Sequence, residues 1–443
     1  MTSMSWHKLL SANRLGSRKP HDESSRSPFH KDYDRIVFSG GFRRLNRKTQ
    51  VHPLAQHDAV HTRLTHSLEV SCVGRSLGML AAEKIIEQLP HWVSPADMGA
   101  IIQAACLAHD IGNPPFGHAG EYAIRDWFLL PQQAHLMALL APAQFADLCQ
   151  FEGNAQGFRI LTQLEYHPNE GGMRLTYATL GAYLKYPWLS QPIAGGVASH
   201  KRGKFGCYHT EKALLSTVAE QLGLIQQGDF KWCRHPLAYL LEAADDICYT
   251  LIDLEDGLAL GMLAYEEIEP LFLQLLDDLP PPPELKQDVP NLQKIAALRG
   301  KAIEKLVSAV AIAFEQQQHA LLTGTLKGSL LQHCHPVLAN GIDLAKDLAR
   351  QRIFNHPQKA QLELAAYASL HTLLTAFAEM TVATYKQQAL TFKQQRLQQL
   401  LGIHTINSHD NLYLGMMQML DFIASLSDHH ALSLAQSLQG IQP

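Results

Sequence analysis

The sequence predicts an all-α fold. Apolar residues recur at three- and four-residue spacing through eight long stretches, strict strand alternation is scarce, and glycine and proline gather at the boundaries between stretches. The first thirty-two residues come before this pattern. They mix basic, Ser and Pro positions (SANRLGSRKPHDESSRSP), with little apolar periodicity, and predict a flexible basic arm with order beginning near Tyr33. Helical periodicity then runs over 64–88, 98–110, 155–164, 211–227, 236–263, 298–318, 361–384 and 413–438. In the first, Leu64, Leu68 and Val73 share a core-facing side, and the second ends where Gly112, Pro114 and Pro115 break the helix. A short hairpin is expected around KRGKFGCYHT (201–210), where glycines and aromatics interrupt the helices. Four consecutive prolines in LPPPPELKQDVPN favour an extended spacer. The chain thus divides into a core at 33–278, a linker at 279–293 and a helical C-terminal region at 294–443 that packs on the core and contributes to oligomer contacts.

Composition narrows the function classes. With 46% hydrophobic residues the 443-residue chain can bury a substantial core, and a net charge of −4 gives no global reason to bind polyanions, so any anion site is local. Seven cysteines without a CxxC pair, and no long uncharged apolar run, predict a reduced, cytoplasmic protein without membrane association.

The segment CLAHDIGNPPFGH (106–118) sets His109 beside Asp110 at the end of an apolar run. Neighbours on a helix point about 100° apart, so they converge only near its terminus, which Gly-Asn-Pro-Pro supplies. A buried carboxylate there needs a partner, and a divalent cation is one. His66, in RLTHSLEV, taken alone reads first as a satisfied core histidine, with metal ligation the lesser alternative. In YLLEAADDICYTLIDLEDG, Glu242, Asp245, Tyr249, Asp253 and Asp256 form a polar stripe opposite Leu241, Ala244, Cys248 and Leu251. Such a stripe faces either solvent or a water-filled cleft holding a cation. His118 and Glu121 share a face if HAGE begins a helix, either as a capping arrangement or as a carboxylate that fixes an imidazole tautomer.

The order His66, His109-Asp110, Asp245 resembles the HD superfamily of metal-dependent phosphohydrolases. More narrowly, FRRLNRKTQV (42–51), TRLTHSLEV (62–70), AHDIGNPPFGHAGE (108–121), FEGNAQGFRILTQLE (151–165), LGAYLKYP (180–187) and EAADDICYTLIDLEDG (242–257) resemble the dGTP triphosphohydrolases and their dGTPase-like relatives. DFIASLSDHHALSLAQSL (421–438) continues the match. The resemblance implies an HD-domain helical bundle with appended C-terminal helices. It implies cleavage of a dNTP between the 5′ oxygen and the α-phosphorus, releasing deoxynucleoside and triphosphate.

By the same resemblance His66, His109, Asp110 and Asp245 hold a divalent metal ion (Mn, Mg, Co, Ni, Fe or Zn), and His118 with Glu121 is catalytic. Arg63, Lys185 and Lys204 meet phosphate, Gln50, Tyr249 and Asp253 the sugar, and Asn154 the nucleotide. Arg63 also lies three residues before His66, so helical spacing brings the two to one face. The implied partners are a dNTP substrate, an allosteric nucleotide, single-stranded DNA and further copies of the chain, as a hexamer. No base-reading motif is legible, and the C-terminal motif departs from the relatives' pattern, so dGTP alone or several dNTPs remain open. The competing readings are an HD phosphohydrolase acting on another phosphorylated nucleotide or metabolite, and a nucleotide- or DNA-responsive binding protein with little turnover. HCH (333–335) is too compact to complete a metal site. FSGGFRRL (38–45) reads either as a phosphate or single-stranded-DNA contact or as a tight turn with a basic face.

Overall fold

A computed structural model describes residues 3–17, 26–50, 61–165, 170–191, 203–402 and 411–441. These residues build a helical protein. The helices used below are α1 (Trp6–Leu9), α2 (Pro28–Val37), α3 (Arg63–Lys84), α4 (Pro95–Ala108), α5 (Gly117–Leu129), α6 (Tyr177–Tyr183), α7 (Pro236–Ala259), α8 (Asn291–Gln316), α9 (Pro336–Ala349), α10 (Pro357–Tyr385), α11 (Leu412–Ser425) and α12 (Asp428–Leu438). Among the described residues none is long and apolar enough to cross a membrane.

The centre is the α3–α4 pair. Thr62 and Ser94 start these helices with reciprocal capping boxes to Thr65 and Asp97. The axes come unusually close, because a Cβ on Gly78 would lie 2.8 Å from Gly99 Cα. Helices α7 and α8 close over α3. The proline spacer before α8 includes a short 3-10 turn at Pro283–Lys286, and it does not detach the helix after it: Ile295, Leu298, Leu306 and Phe314 of α8 are fully buried in the same core as α3 and α7. A second core joins α5 and the Pro142–Cys149 helix to α10, α11 and α12.

Three expectations are corrected. Residues 3–17 are not a loose arm: Met4, Trp6, Leu9, Leu10 and Leu15 are buried, Trp6 Nε1 donates to Gln318 Oε1 at 3.3 Å, and Leu15 N–H donates to the Leu175 carbonyl. Helix α2 is capped by Ser27, ahead of Tyr33, while 18–25 lie outside the described residues. The hairpin is not at 203–210 but at Gln226–Gly228 (β1) and Lys231–Trp232 (β2), an antiparallel pair across a Gly-Asp-Phe turn; residues 201–202 lie outside the described ones. The stretch 413–438 is two helices rather than one, broken after Ser425, with Ser427 capping the second through the His430 N–H.

Candidate active site

The first side chains to converge come from three helices. His66 sits in the first turn of α3, His109 at the C-cap of α4, and Asp245 midway along α7. One donor atom from each falls within 4.8 Å of the other two. Asp245 Oδ1 is 3.2 Å from His66 Nε2 and 3.5 Å from His109 Nε2. The Nδ1–H of His109 donates to the Cys106 carbonyl at 2.6 Å, which fixes the ring with Nε2 facing Asp245. Two imidazole nitrogens and a carboxylate oxygen, so placed, are a donor set suited to a divalent transition metal.

Asp110 stands beside this cluster. Its Oδ1 is 3.6 Å from His109 Nε2, but Arg63 holds Oδ2 at 2.7 Å and the Asn113 amide donates to Oδ1. Burial works against ionised carboxylates here. It is outweighed at Asp110 by Arg63 and the two histidines, and at Asp245 by His109 and Lys185, so both are held below the usual carboxylate range. The carboxylates act back on His109, which is pushed up to about 9 although burial opposes its protonation. A field that holds a proton on this ring also favours a cation.

His118 and Glu121 lie in the first turn of α5, as the HAGE reading anticipates. His118 Nδ1 is 2.9 Å from Glu121 Oε2, and Gly153 N–H donates to Glu121 Oε1 at 2.7 Å. Glu121 is almost completely buried, which alone would raise its pKa. The hydrogen bond from His118, with Lys204 and Arg125 nearby, takes it instead well below the carboxylate range. The His118 side chain is 72% exposed and faces a cavity of about 480 Å³.

That cavity brings together His109, Asp110 and Asp245 with His118 and Glu121, and with Gln50, Arg63, Asn154, Lys185, Lys204 and Tyr249. His66 and Asp253 do not line it. Lys185 Nζ is 3.4 Å from Asp245 Oδ2, and Lys204 Nζ is 2.9 Å from Glu152 Oε2 and 3.8 Å from Glu121 Oε2. Asn154 donates its amide to Glu152 Oε1 at 2.7 Å. Gln50 Oε1, Arg63 Nε and Asp253 Oδ2 are buried without a partner among the described residues. Burial, and then the charge of Asp256, push the Asp253 carboxyl well above its ordinary range.

Sequence reasoning missed part of the wall. Phe354 stacks on Tyr249 at 5.5 Å with 12° between the rings, Lys359 lies over Phe354, and Lys359 and Glu363 join the lining. These residues lie about a hundred positions beyond Tyr249 in a segment with no motif, so only the fold reveals them. The Gly-Gly pair at 40–41 opens a short helix, Gly40–Arg44, whose first N–H groups donate to Glu165 at 3.3 and 2.6 Å. His333 and His335 belong to no metal-ligand cluster among the described residues.

Comparison with known proteins places the chain in a family. The HD domain model matches residues 63–174, a span that carries His66, His109 and Asp110 but stops short of Asp245. Over 442 residues, 99% of each chain, the protein is 51% identical to the deoxyguanosinetriphosphate triphosphohydrolase-like protein of Pseudomonas aeruginosa (strain LESB58). It is 41% identical to the like-named protein of Synechocystis, across 99% of this chain and 100% of the relative. The deoxyguanosinetriphosphate triphosphohydrolase of Enterobacter sp. (strain 638) is 33% identical across 84% of this chain and 80% of its own. The chain is therefore an HD-domain phosphohydrolase and belongs to the deoxyguanosinetriphosphate triphosphohydrolase-like family.

Proposed function

We propose that the protein hydrolyses deoxynucleoside triphosphates to deoxynucleoside and intact triphosphate. The observation that carries this reading is one cavity whose wall joins the His118–Glu121 pair to Arg63, Lys185 and Lys204 and to His109 and Asp245, the two members of the ligand cluster that reach it, with His66 behind them. Arg63, Lys185 and Lys204, each paired with a carboxylate of the same wall, are the cations a triphosphate would draw on, with a divalent ion at the ligand cluster offsetting those carboxylates. The Enterobacter relative's name carries the same activity.

In this reading His66, His109, Asp110 and Asp245 hold a divalent cation, which when bound supplies a Lewis acid beside the α-phosphate. Arg63, with its planar fork, and Lys185 bind phosphate oxygens. Glu121, kept ionised, fixes His118 with Nδ1 protonated, leaving Nε2 to take a proton from the attacking water or to return one to the departing 5′ oxygen. Gln50 and Tyr249 meet the deoxyribose, and the unpartnered Gln50 Oε1 has an acceptor to offer a sugar hydroxyl. Asp253 supports that wall from one turn further along α7.

The test is chromatographic product analysis after incubation with each dNTP and with GTP, in Mg or Mn. Deoxynucleoside and triphosphate are the expected products. His118→Ala is expected to lower kcat by about 10²- to 10⁴-fold. Release of a nucleoside monophosphate, or full turnover by His118→Ala, would overturn the reading.

A further inference from the structure

We propose that Asp428, the first residue of α12, is a positioning residue that clamps the segments bearing His118 and Gln50 into one active geometry. The inference rests on the hydrolytic reading of the cavity, and it concerns a residue that does not itself line it.

Helix α5 starts without a side-chain cap, and the residue before it, Phe116, is in the left-handed region at φ 64°, followed by Gly117 at φ 58°. A bulky residue is rarely held there unless its surroundings enforce it. The enforcing contact is a hydrogen bond of 2.8 Å from Phe116 N–H to Asp428 Oδ1. This left-handed pair sets where α5 starts, and with it the direction of His118 two residues later.

The second carboxylate oxygen holds the other wall. Asp428 Oδ2 accepts from Thr49 N–H at 3.1 Å and from Thr49 Oγ1 at 2.7 Å. Gln50 is the next residue. Lys48 completes the clamp: its ammonium, almost wholly buried, donates to the Asn113 carbonyl at 2.6 Å and to the Ala424 carbonyl at 2.5 Å. Asn113 in turn bonds to Asp110, and the Lys48 carbonyl accepts from Arg63 N–H at 2.9 Å. Asp428 is 1% exposed. Both of its oxygens are spent on the two segments that reach into the cavity.

A plain anchor for the C-terminal helices would have no such targets. The same α11 already has one, the Tyr413 hydroxyl bonded to Asp147, and neither of those residues lines the cavity. Tyr413→Phe is therefore the control.

The experiment compares full-length wild type, Asp428→Ala, Asp428→Asn and Tyr413→Phe by hydrogen–deuterium exchange without substrate, and by steady-state hydrolysis of dGTP with Mn. For Asp428→Ala we expect faster exchange confined to 46–50 and 113–121. We also expect kcat to fall about 10- to 100-fold, with a smaller rise in KM, because His118 and Gln50 lose their fixed placement. Asp428→Asn, which keeps one acceptor and the volume, should fall between, and it serves alone if the alanine variant does not fold. Tyr413→Phe should lower Tm while keeping kcat. A uniform rise in exchange for both Asp428 variants, with kcat unchanged in the folded fraction, would overturn the clamp. If the wild type hydrolyses no dNTP, the hydrolytic reading fails, and the exchange pattern by itself upholds or rejects the clamp.

Discussion

At the scale of single residues, a histidine outside the cavity links folding to pH. His61, just before the cap of α3, has Nδ1 2.8 Å from Asp256 Oδ1 and Nε2 3.4 Å from Glu69 Oε1. Hydrogen bonds to Asp256 first, and to Glu69, outweigh burial and push it up to about 10. A folded pKa above the unfolded 6.5 means that the stabilisation is complete below about pH 6.5 and is lost as pH rises through about 10. Urea unfolding of wild type and His61→Gln should therefore differ most below pH 6.5, by about 1–3 kcal/mol given the water that still reaches the ring, and converge toward pH 10. A difference independent of pH would show that the folded ring is neutral. Nothing in the sequence marks His61, since its carboxylates are eight and 195 residues away. His66, His109-Asp110 and Asp245 were legible because the multi-residue motifs around them occur in order.

At the scale of elements, the spacing of His66 and His109, the proposed metal ligands, depends on how closely α3 and α4 approach. A Cβ on Gly78 would meet Gly99 Cα at 2.8 Å and the Met98 carbonyl at 2.9 Å, both backbone atoms that cannot rotate away. Gly78→Ala gains about 1 kcal/mol of helix propensity in isolation. We expect a net loss of about 1–3 kcal/mol, because the helices must part. Mn affinity should weaken as well, since His66 rides on one helix and His109 on the other. Calorimetric Tm and Mn titration check both, and an unchanged pair would show that the helices can part without moving the ligands. The long helices were legible because their apolar period is uninterrupted over three turns or more. The chain's beginning was not: Trp6, Leu9 and Leu10 sit among polar and basic residues, and their burial needs partners such as Gln318 that only the fold supplies. The hairpin was misplaced because GKFGC and QGDFKW carry similar glycine and aromatic signals, and only the second folds back on itself, Cys207 of the first making a single parallel bridge to Leu189.

At the scale of the whole molecule, two cores are joined beside the cavity by a buried ion triad. Arg159, after the segment that carries Asn154, pairs through Nη1 with Glu211 at 2.5 Å, and through Nε and Nη2 with Asp421 on α11 at 2.9 and 2.8 Å. Glu211 is 1% exposed, and burial raises its pKa even with the guanidinium in place. Removing the arginine therefore leaves a desolvated carboxylate with no compensating cation, a loss typically worth about 3–5 kcal/mol. Arg159→Met keeps much of the side-chain length and should show that loss in denaturant unfolding. Arg159→Lys, a single ammonium in place of a fork that reaches both partners, should recover only part of it. Pairing the methionine with Glu211→Gln removes the stranded charge, so the double variant should be more stable than Arg159→Met alone. If it is not, the cost lies in packing between the two cores rather than in the triad.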